Sequence, residues 1–584
     1  MTFVPVGMES PKPIYNLSFT NNFNLITYLS EANVVNALAS LVFIPYYSML
    51  KKTRVALAWI CWLSITVLFL DLTGVTRLWL GWMAKIQFLP ALMAMNIGVV
   101  VLWVVVTLLF GRIYCSVICP LGVLQDMFAH IGDMVHRRAS KSKLGRYSYL
   151  GTKWSKVMRY GIFALFLISV VTGFSIFVQW LAPYSSYGRI VTALGRPIVW
   201  WINEGLAEWS AAQDNFVFYH VTWNGVNLAL AITAFVTAAI LVATAILGGR
   251  FYCNEICPVG TFLGLLSKRS LFRVHIDSSK CVHCGLCERK CKGLAINAKS
   301  AHVDNSRCID CFNCLDVCHK GALKYGLPSK QGDEQIAVNN KATNAANEAK
   351  PSETKPSTSV QEHSSENMGE TSRRTFFAMA ATVVAASGAK AADKIVDGGL
   401  AVVTDKKRIR RQTRISPPGA ISLANMQQRC TGCQLCVSAC PNGVLQPSTD
   451  LLHYMQPTLT YENAHCRPEC HACSDVCPAG AIKPLGTTHE EKMANKSSLK
   501  IGRAVWVKEN CLPLTDGVSC GNCSRHCPTS AIKMVLSDPS DRKSLRVPAI
   551  DEERCIGCGA CEHLCPSRPF SAIYVEGIEV QRTI

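Results

Sequence analysis

Twenty-eight of the 29 cysteines in this chain fall into short, regular groups, and that spacing limits what the chain can fold into more than any other feature. Groups rich in C-x-x-C and C-x-x-x-C have metal-ligand spacing rather than the spacing of a disulfide framework. Two C-x-x-C-x-x-C-x-x-x-C runs stand at Cys281, Cys284, Cys287, Cys291 and at Cys308, Cys311, Cys314, Cys318. Tandem runs of this kind make a two-cluster ferredoxin, in which the fourth cysteine of each run ligates the other cluster. The expected sets are Cys281, Cys284, Cys287 and Cys318 on one 4Fe-4S cluster, and Cys308, Cys311, Cys314 and Cys291 on the other. Zinc is the alternative, but it rarely uses four cysteines in so compact a run, and rarely in tandem. The proline that usually follows the fourth cysteine is replaced by Lys292 and His319.

Four more quartets follow: Cys430, Cys433, Cys436, Cys440; Cys466, Cys470, Cys473, Cys477; Cys511, Cys520, Cys523, Cys527; and Cys555, Cys558, Cys561, Cys565. Proline follows the last cysteine of each, at Pro441, Pro478, Pro528 and Pro566. These sixteen ligands imply four further 4Fe-4S clusters, six in all, which would supply much of the core of tandem ferredoxin units. Short strands are expected between them at 481–482 and 531–535. Cys61, alone in an apolar run, reads as a small buried hydrophobe.

The rest of the chain must be placed in a membrane. Charge-poor runs at 55–70, 88–110, 161–183 and 225–249 approach the roughly 20 residues a bilayer core requires. A run at 32–50, weakened by Asn33, Asn36 and Pro45, reads equally as a spanning helix or an interfacial one. Lys and Arg total 59 against 40 Asp and Glu. That excess flanks apolar runs and is not interleaved with stacking aromatics, so membrane topology explains it and nucleic acid does not. Arg112, Arg159, Lys51, Lys52, Arg54 and Arg250 mark the cytoplasmic ends, and Trp79, Trp82, Trp180, Trp200, Trp201 and Trp223 then fall near the periplasmic interface.

Both cytoplasmic exits repeat one sentence, GRIYCSVICPLG at 111–122 and GRFYCNEICPVG at 249–260. Cys115 and Cys119, like Cys253 and Cys257, are four apart, so on a helix continuing out of the membrane both thiols of a pair face one way. Four such thiols bind a seventh iron-sulfur cluster, form redox-active dithiols, or simply pack; a reducing cytoplasm disfavours structural disulfides. Residues 328–370 have almost no apolar residues and are expected to be a disordered linker. Then Arg373 and Arg374, in an S-R-R-x-F-F arrangement before a charge-free run, read as a twin-arginine export signal or anchor at 371–392.

The repeated G-R-x-Y-C-x-x-x-C-P, the WLAPYSSYGR segment at 180–189 and the ferredoxin pair closely resemble NapH, the membrane quinol dehydrogenase component of periplasmic nitrate respiration. The export signal, RISPPGAI at 414–421 and the four quartets resemble the NapG or MauM family, with NosR and CcoG as more distant relatives. The chain thus looks like a NapH-NapG fusion. The expected fold is an α-helical membrane domain of four to five helices followed by α+β ferredoxin-like iron-sulfur domains on both sides of an export-signal helix. The expected divisions are an N-terminal segment 1–54, the membrane domain 55–260, a cytoplasmic two-cluster ferredoxin 261–327, the linker, the signal, and a periplasmic four-cluster domain 393–584. The resemblance implies quinol oxidation in the cytoplasmic membrane, with electrons passed to a periplasmic reductase or cytochrome. It also implies that quartets pair outermost with outermost: Cys565 with Cys430, Cys433 and Cys436; Cys440 with Cys555, Cys558 and Cys561; Cys527 with Cys466, Cys470 and Cys473; and Cys477 with Cys511, Cys520 and Cys523.

A quinol site needs polar groups near the periplasmic helix ends, and Asp71, Lys85, Gln87, Gln179 and His220 are the candidates. The alternative function is a reductant for maturation or maintenance of a metalloenzyme, resembling CcoG or NosR, or ferredoxin-driven quinone reduction. No glycine-rich nucleotide loop or flavin attachment segment is present. A difficulty attends either reading: roughly 30 Å of hydrocarbon separates the two sets of clusters.

Overall fold

The structure is a computed structural model that describes residues 31–140, 153–214, 217–221, 225–327, 396–397, 401–402 and 405–584. The segment 1–30, the expected linker 328–370, the expected export signal 371–392 and Trp223 lie outside the described residues.

Three helices among the described residues are long and apolar enough to cross a membrane: Met49–Leu70, Trp154–Thr172 and Leu228–Gly248. The expectation of four to five is corrected by the breaks in two runs. The 88–110 run divides into Phe88–Met93 and Ile97–Phe110 because Met95 adopts φ 58° and Asn96 caps the second piece, its Oδ1 accepting from Val99 N. The second piece has 14 residues, about 21 Å at 1.5 Å per residue, short of a ~30 Å core. The 161–183 run stops at Gly173, φ 73°, before a short helix Ser175–Leu181. The expected boundary at 54/55 also vanishes: one helix runs from Glu31 to Leu70. Within it Lys51 pairs with Asp316, and Arg54 donates to Asp126 Oδ2 at 2.7 Å.

The C-x-x-x-C-P repeats do not continue outward as helices. Gly111 (φ 82°) and Gly249 (φ 64°) end the preceding helices. The chain then makes a single π turn, Tyr114–Ile118 in one repeat and Tyr252–Ile256 in the other. Cys119 and Cys257 are extended, and Pro120 and Pro258 open new helices, a position proline suits because it has no N–H to lose there. These helices, Pro120–Ser140 and Pro258–Ser267, return toward the face the chain came from. Asp126 Oδ1 accepts from Arg250 Nε at 2.9 Å, and Ser267 Oγ donates to Asn305 O. Each repeat is therefore a re-entrant hairpin, tolerable at membrane depth because it is buried in protein. The two hairpins lock each other symmetrically. Arg112 Nη2 donates to Cys253 O at 3.3 Å and Arg250 Nη1 donates to Cys115 O. Gly122 and Gly260 are required by this close approach, since a Cβ would lie 2.4 Å from Cys115 O and 2.1 Å from Cys253 O. Arg112, Arg159 and Arg250, expected to mark the cytoplasmic ends, are 0%, 2% and 0% exposed; they are internal ties.

The ferredoxin unit packs on the end of the helices that carries Gly111 and Gly249. Its outer ribbon pairs Arg273–Ile276 with Leu323–Gly326 and its inner one Ile296–Asn297 with His302–Val303. Leu271 N and Phe272 N donate to Leu108 O and Leu109 O, and Tyr325 Oη donates to Phe110 O. The quartet unit, 405–584, packs on the opposite end. There Arg77 Nη1 donates to Ala439 O at 2.9 Å, Gln456 Nε2 to Ser175 Oγ at 3.3 Å, and Tyr454 meets Thr233. Its hairpins Leu445–Pro447/Pro457–Leu459 and Ile532–Leu536/Arg546–Ile550 each link two quartets, and Leu499–Trp506 pairs with Ile573–Thr583 to join the halves. Residues 481–482 form no strand. Along this same face lie two interfacial helices, Val75–Lys85 and Arg196–Ala211, with Trp79, Trp82, Trp201 and Trp209 exposed.

Candidate iron-sulfur centres

Each cysteine run is a short loop followed by one helical turn, such as Leu286–Lys290 or Leu435–Ala439. Left-handed residues before these turns, Gly285 (φ 73°), Phe312 (φ 60°) and Gln434 (φ 66°), bend the loop back so that its thiols converge. Four cavities of nearly equal size result. About 350 Å³ is lined by Cys291, Cys308, Cys311 and Cys314; about 350 Å³ by Cys430, Cys433, Cys436 and Cys477; about 340 Å³ by Cys440, Cys466, Cys470 and Cys473; and about 310 Å³ by Cys527, Cys555, Cys558 and Cys561. Four like volumes, each with three thiols of one run and one from its neighbour, point to one kind of occupant.

In the ferredoxin unit Cys291 lies with Cys308, Cys311 and Cys314, and Cys287 lies within electrostatic reach of Cys318, Cys281 and Cys284. In the quartet unit the outermost pairing is corrected. Cys477, not Cys565, joins Cys430, Cys433 and Cys436; Cys440 joins Cys466, Cys470 and Cys473; Cys527 joins Cys555, Cys558 and Cys561. Cys565 lies with Cys511, Cys520 and Cys523. The unit is thus two successive two-site ferredoxins, each closed by its own hairpin, so quartets exchange fourth cysteines with sequence neighbours. Cys477→Ser is accordingly expected to remove the same 4Fe-4S signal as Cys433→Ser, and Cys565→Ser a different one, by electron paramagnetic resonance (EPR). Coincidence of the Cys565→Ser and Cys433→Ser losses would reinstate the outermost pairing.

The donor chemistry fits iron-sulfur clusters. Burial pushes the Cys430, Cys433, Cys291 and Cys558 thiols up to about 12. Thiolates packed together in dry pockets therefore need cations among them, which the irons of a cluster supply. None of the 29 cysteines is in a disulfide. Cys115, Cys119, Cys253 and Cys257 form a further set between the hairpins, within electrostatic reach of one another and 3–5% exposed. Arg112, fully buried, turns Nη2 toward Cys115 Sγ at 3.8 Å and leaves Nε without a partner. A buried guanidinium against four thiols is what a net anionic thiolate cluster would balance.

The sites succeed one another from face to face. The Cys308 site reaches Asp310, whose Oδ2 accepts from Arg112 N at 2.7 Å, and Arg112 leads to Cys115. Beyond Cys257, Tyr252 Oη donates to Leu181 O at 3.2 Å; two residues back, Gln179 packs 3.3 Å from where a Gly432 Cβ would sit, beside Cys433. Gly188 similarly abuts Cys433 O, and Tyr184 lies between Tyr114 and Cys433. Further out, Cys473 neighbours Cys436, Cys466 N donates to Cys558 O at 3.0 Å, and Cys523 neighbours Cys561. Lys496, 6% exposed, donates to Cys466 Sγ at 3.2 Å and to Arg467 O.

The polar residues singled out from sequence do not gather. Asp71 is a cap: Oδ1 accepts from Gly74 N at 2.7 Å and Thr73 N at 2.9 Å, Oδ2 from Thr76 Oγ1 at 2.7 Å, and Arg77 lies 3.6 Å away. Gln87 is fully buried in the helix bundle, Oε1 accepting from Tyr114 Oη at 3.0 Å. Gln179 is fully buried with neither amide atom bonded. Lys85 is exposed, and His220 is exposed against Glu204 at 2.6 Å. Arg77, Thr192 and Arg196, which line the interface beside Cys440, were not legible as site residues because nothing in their spacing sets them apart.

Fold and site together define a ferredoxin-type iron-sulfur electron-transfer protein with helices long and apolar enough to cross a membrane. Models of a 4Fe-4S binding domain match residues 92–143, 230–277 and 274–297, and a 4Fe-4S dicluster domain model matches 429–493 and 518–568. The methylamine utilization ferredoxin-type protein MauM of Methylophilus methylotrophus is 34% identical over 28% of this chain and 71% of its own length. The ferredoxin-type proteins NapF of Escherichia coli (29%, 28% of this chain, 85% of its own) and NapG of Haemophilus influenzae (30%, 27% and 56%) are also similar. The chain belongs, through its quartet unit, to the family of MauM-type ferredoxin proteins. No solved structure matches it.

Proposed function

We propose that this protein oxidises a membrane quinol and passes the electrons through 4Fe-4S clusters to a reductase or cytochrome beyond the quartet unit. In this proposal residues 371–392 export or anchor that unit, which makes its face periplasmic and the ferredoxin face cytoplasmic, and seven sites, six ferredoxin-type and one between the re-entrant hairpins, hold clusters. The observation that carries it is the docking of cysteine sites on the short helices packed against the apolar ones, through Gly188, Gln179 and Arg77, with the far end of the series, the Cys511, Cys520, Cys523 and Cys565 site, next to the exposed residues Leu514 and Val518. When bound, such clusters accept one electron at a time, whereas a quinol releases two electrons and two protons. The protein's part is to hold the head group near one centre and to let protons leave to water on that face. Asp71 is fully committed as a cap, so it serves the fold rather than the proton.

A second reading is favoured by the exposure of Cys284 at the opposite end of the series. There a low-potential donor delivers electrons, and quinone reduction or upkeep of a metalloenzyme becomes the outcome. EPR on the anaerobic full-length protein separates the two. Addition of a menaquinol analogue alone is expected to reduce 4Fe-4S signals that disappear in Cys433→Ser and Cys466→Ser. If quinol reduces nothing while a low-potential donor reduces every signal, the second reading replaces the first.

A further inference from the structure

Where the quartet unit meets the membrane helices, a cavity of about 820 Å³ is lined by Thr73, Arg77, Thr192, Arg196, Asn227 and Cys440, with apolar walls from Leu72, Val226, Leu230 and Val437. It is larger than any of the four cysteine cavities described above and differs from them in kind, since one thiol faces it and two guanidinium groups do. Arg77 is satisfied, paired with Asp71 and donating to Ala439 O and Ser438 O. Arg196 is not. Among the described residues it has no ion-pair partner, and its Nε is buried without a hydrogen bond. Burial, and after it the positive charge of Arg77, pull the Arg196 guanidinium down to about 10. Thr192 is 5% exposed and its Oγ1 also lacks a partner. Buried donors left unmade are costly, and Thr192 and Arg196 both line this cavity, so an oxygen-bearing ligand held between them would satisfy them.

Its surroundings narrow the ligand class. Arg77 lies in the first turn of the interfacial helix Val75–Lys85, and Arg196 is the first residue of the interfacial helix Arg196–Ala211. Trp79, Trp82 and Trp201 of these helices are 77%, 58% and 73% exposed, which places the cavity at the level where lipid head groups meet hydrocarbon. A ligand that combines a flat apolar ring, oxygens on its edge and an apolar tail suits donors, apolar walls and lipid at once. Free anions lack the ring and tail.

We propose that this cavity binds the head group of a quinone, with Thr192 Oγ1 and the Arg196 guanidinium donating to its oxygens beside the loop that carries Cys440. The assignment rests on the quinol reading above and gives it a place. The electron acceptor next to it is the Cys440, Cys466, Cys470, Cys473 site, whose Cys440 and Cys470 lie within electrostatic reach of Arg77. With a cluster held by those cysteines, quinol bound there would give up its two electrons one after the other, each passed on to the next site, and two protons to water, and would leave as quinone.

The test uses the full-length protein in nanodiscs of neutral lipid and a photoreactive naphthoquinone as probe. Label is expected on peptides covering 72–77, 192–196 or 437–447, and Arg196→Gln and Thr192→Val are each expected to weaken naphthoquinone binding at least about tenfold. Iron content and EPR signals of both variants should match the wild type, which excludes misfolding, and Arg196→Lys should recover part of the affinity. Label elsewhere, or variants that bind as the wild type does, overturns the site; if quinol still reduces the clusters in that case, the functional reading stands without it. Label at the cavity with no cluster reduced by quinol keeps the site and overturns the reading. Protection from label by phosphatidylglycerol as effective as that by unlabelled quinone assigns the cavity to a lipid head group and also overturns the site.

Discussion

Cys119→Ser and Cys257→Ser variants are expected to cut electron exchange between the two ends of the molecule while leaving the ferredoxin-type centres in place. The reason is the path the chain builds. Between the Cys308 and Cys433 sites, one chain of contacts runs past the hairpin thiols: Asp310 to Arg112, Arg112 to Cys115, Tyr252 to Leu181, Gln179 to Gly432. The sequence poses two cluster sets about 30 Å apart across hydrocarbon; the re-entrant hairpins put four thiols inside that gap. In sealed, quinone-free vesicles, a membrane-impermeant viologen reductant applied to one face should reduce EPR signals of both units in the wild type. In either variant it should reduce those of the near unit as in the wild type, and those of the far unit more than about tenfold more slowly. Detergent, which opens both faces, should restore full reduction and so show that the far centres are intact. Equal rates in variant and wild type would mean the hairpin thiols only pack.

On the proposed quinol reading, the same variants bear on where electrons enter. With the cavity beside Cys440, quinol reduction of the quartet signals should survive loss of Cys119, because that route does not enter the hairpins. Its disappearance would put the entry point on the ferredoxin side.

What could be read from the sequence was what spacing alone determines. The two runs at 281–291 and 308–318 exchange fourth cysteines as the general rule for tandem runs requires. That same rule, applied to neighbours, would have given Cys440 and Cys477 their places; the family resemblance pointed to outermost pairing instead, and the hairpins 445–459 and 532–550 decide the matter by folding each quartet onto the next. Helix breaks were harder. Nothing in the sequence requires Met95 to take a left-handed conformation, and a run of apolar residues from 97 to 110 looks the same whether it completes a span or stops short of one. The thiol pairs four apart suggested one helical face, but the glycines before them, 111 and 249, turn the chain back into the bundle. Charge was misread for a similar reason: Arg112 and Arg250 look like flanking charges, and only their mutual exchange of hydrogen bonds across the repeats shows why each must be buried.

Arg307→Met is expected to be the most destabilising single change at the junction of the ferredoxin unit and the membrane helices. Arg307 and Glu255 are 1% and 0% exposed and form an ion pair closed by Ser155, which accepts from Arg307 Nη2 at 2.5 Å and donates to Glu255 Oε2 at 2.7 Å. Asp304 adds a contact at 3.5 Å. Two charges removed from water gain little net stability over a well-packed apolar pair, but removal of one leaves the other buried and uncompensated, at a cost of about 3–5 kcal/mol. Glu255 sits in the second hairpin, between Cys253 and Cys257, so the cost falls on the contact that joins the ferredoxin unit to the hairpin thiols. The expected result is earlier thermal release of that unit, read as protease cleavage near residues 268–280 at a temperature where the wild type resists. The double variant Glu255→Gln with Arg307→Met removes both charges and should regain most of the lost resistance. If the double variant is cleaved as readily as the single one, the pair acts through its shape and hydrogen bonds rather than through an unbalanced buried charge.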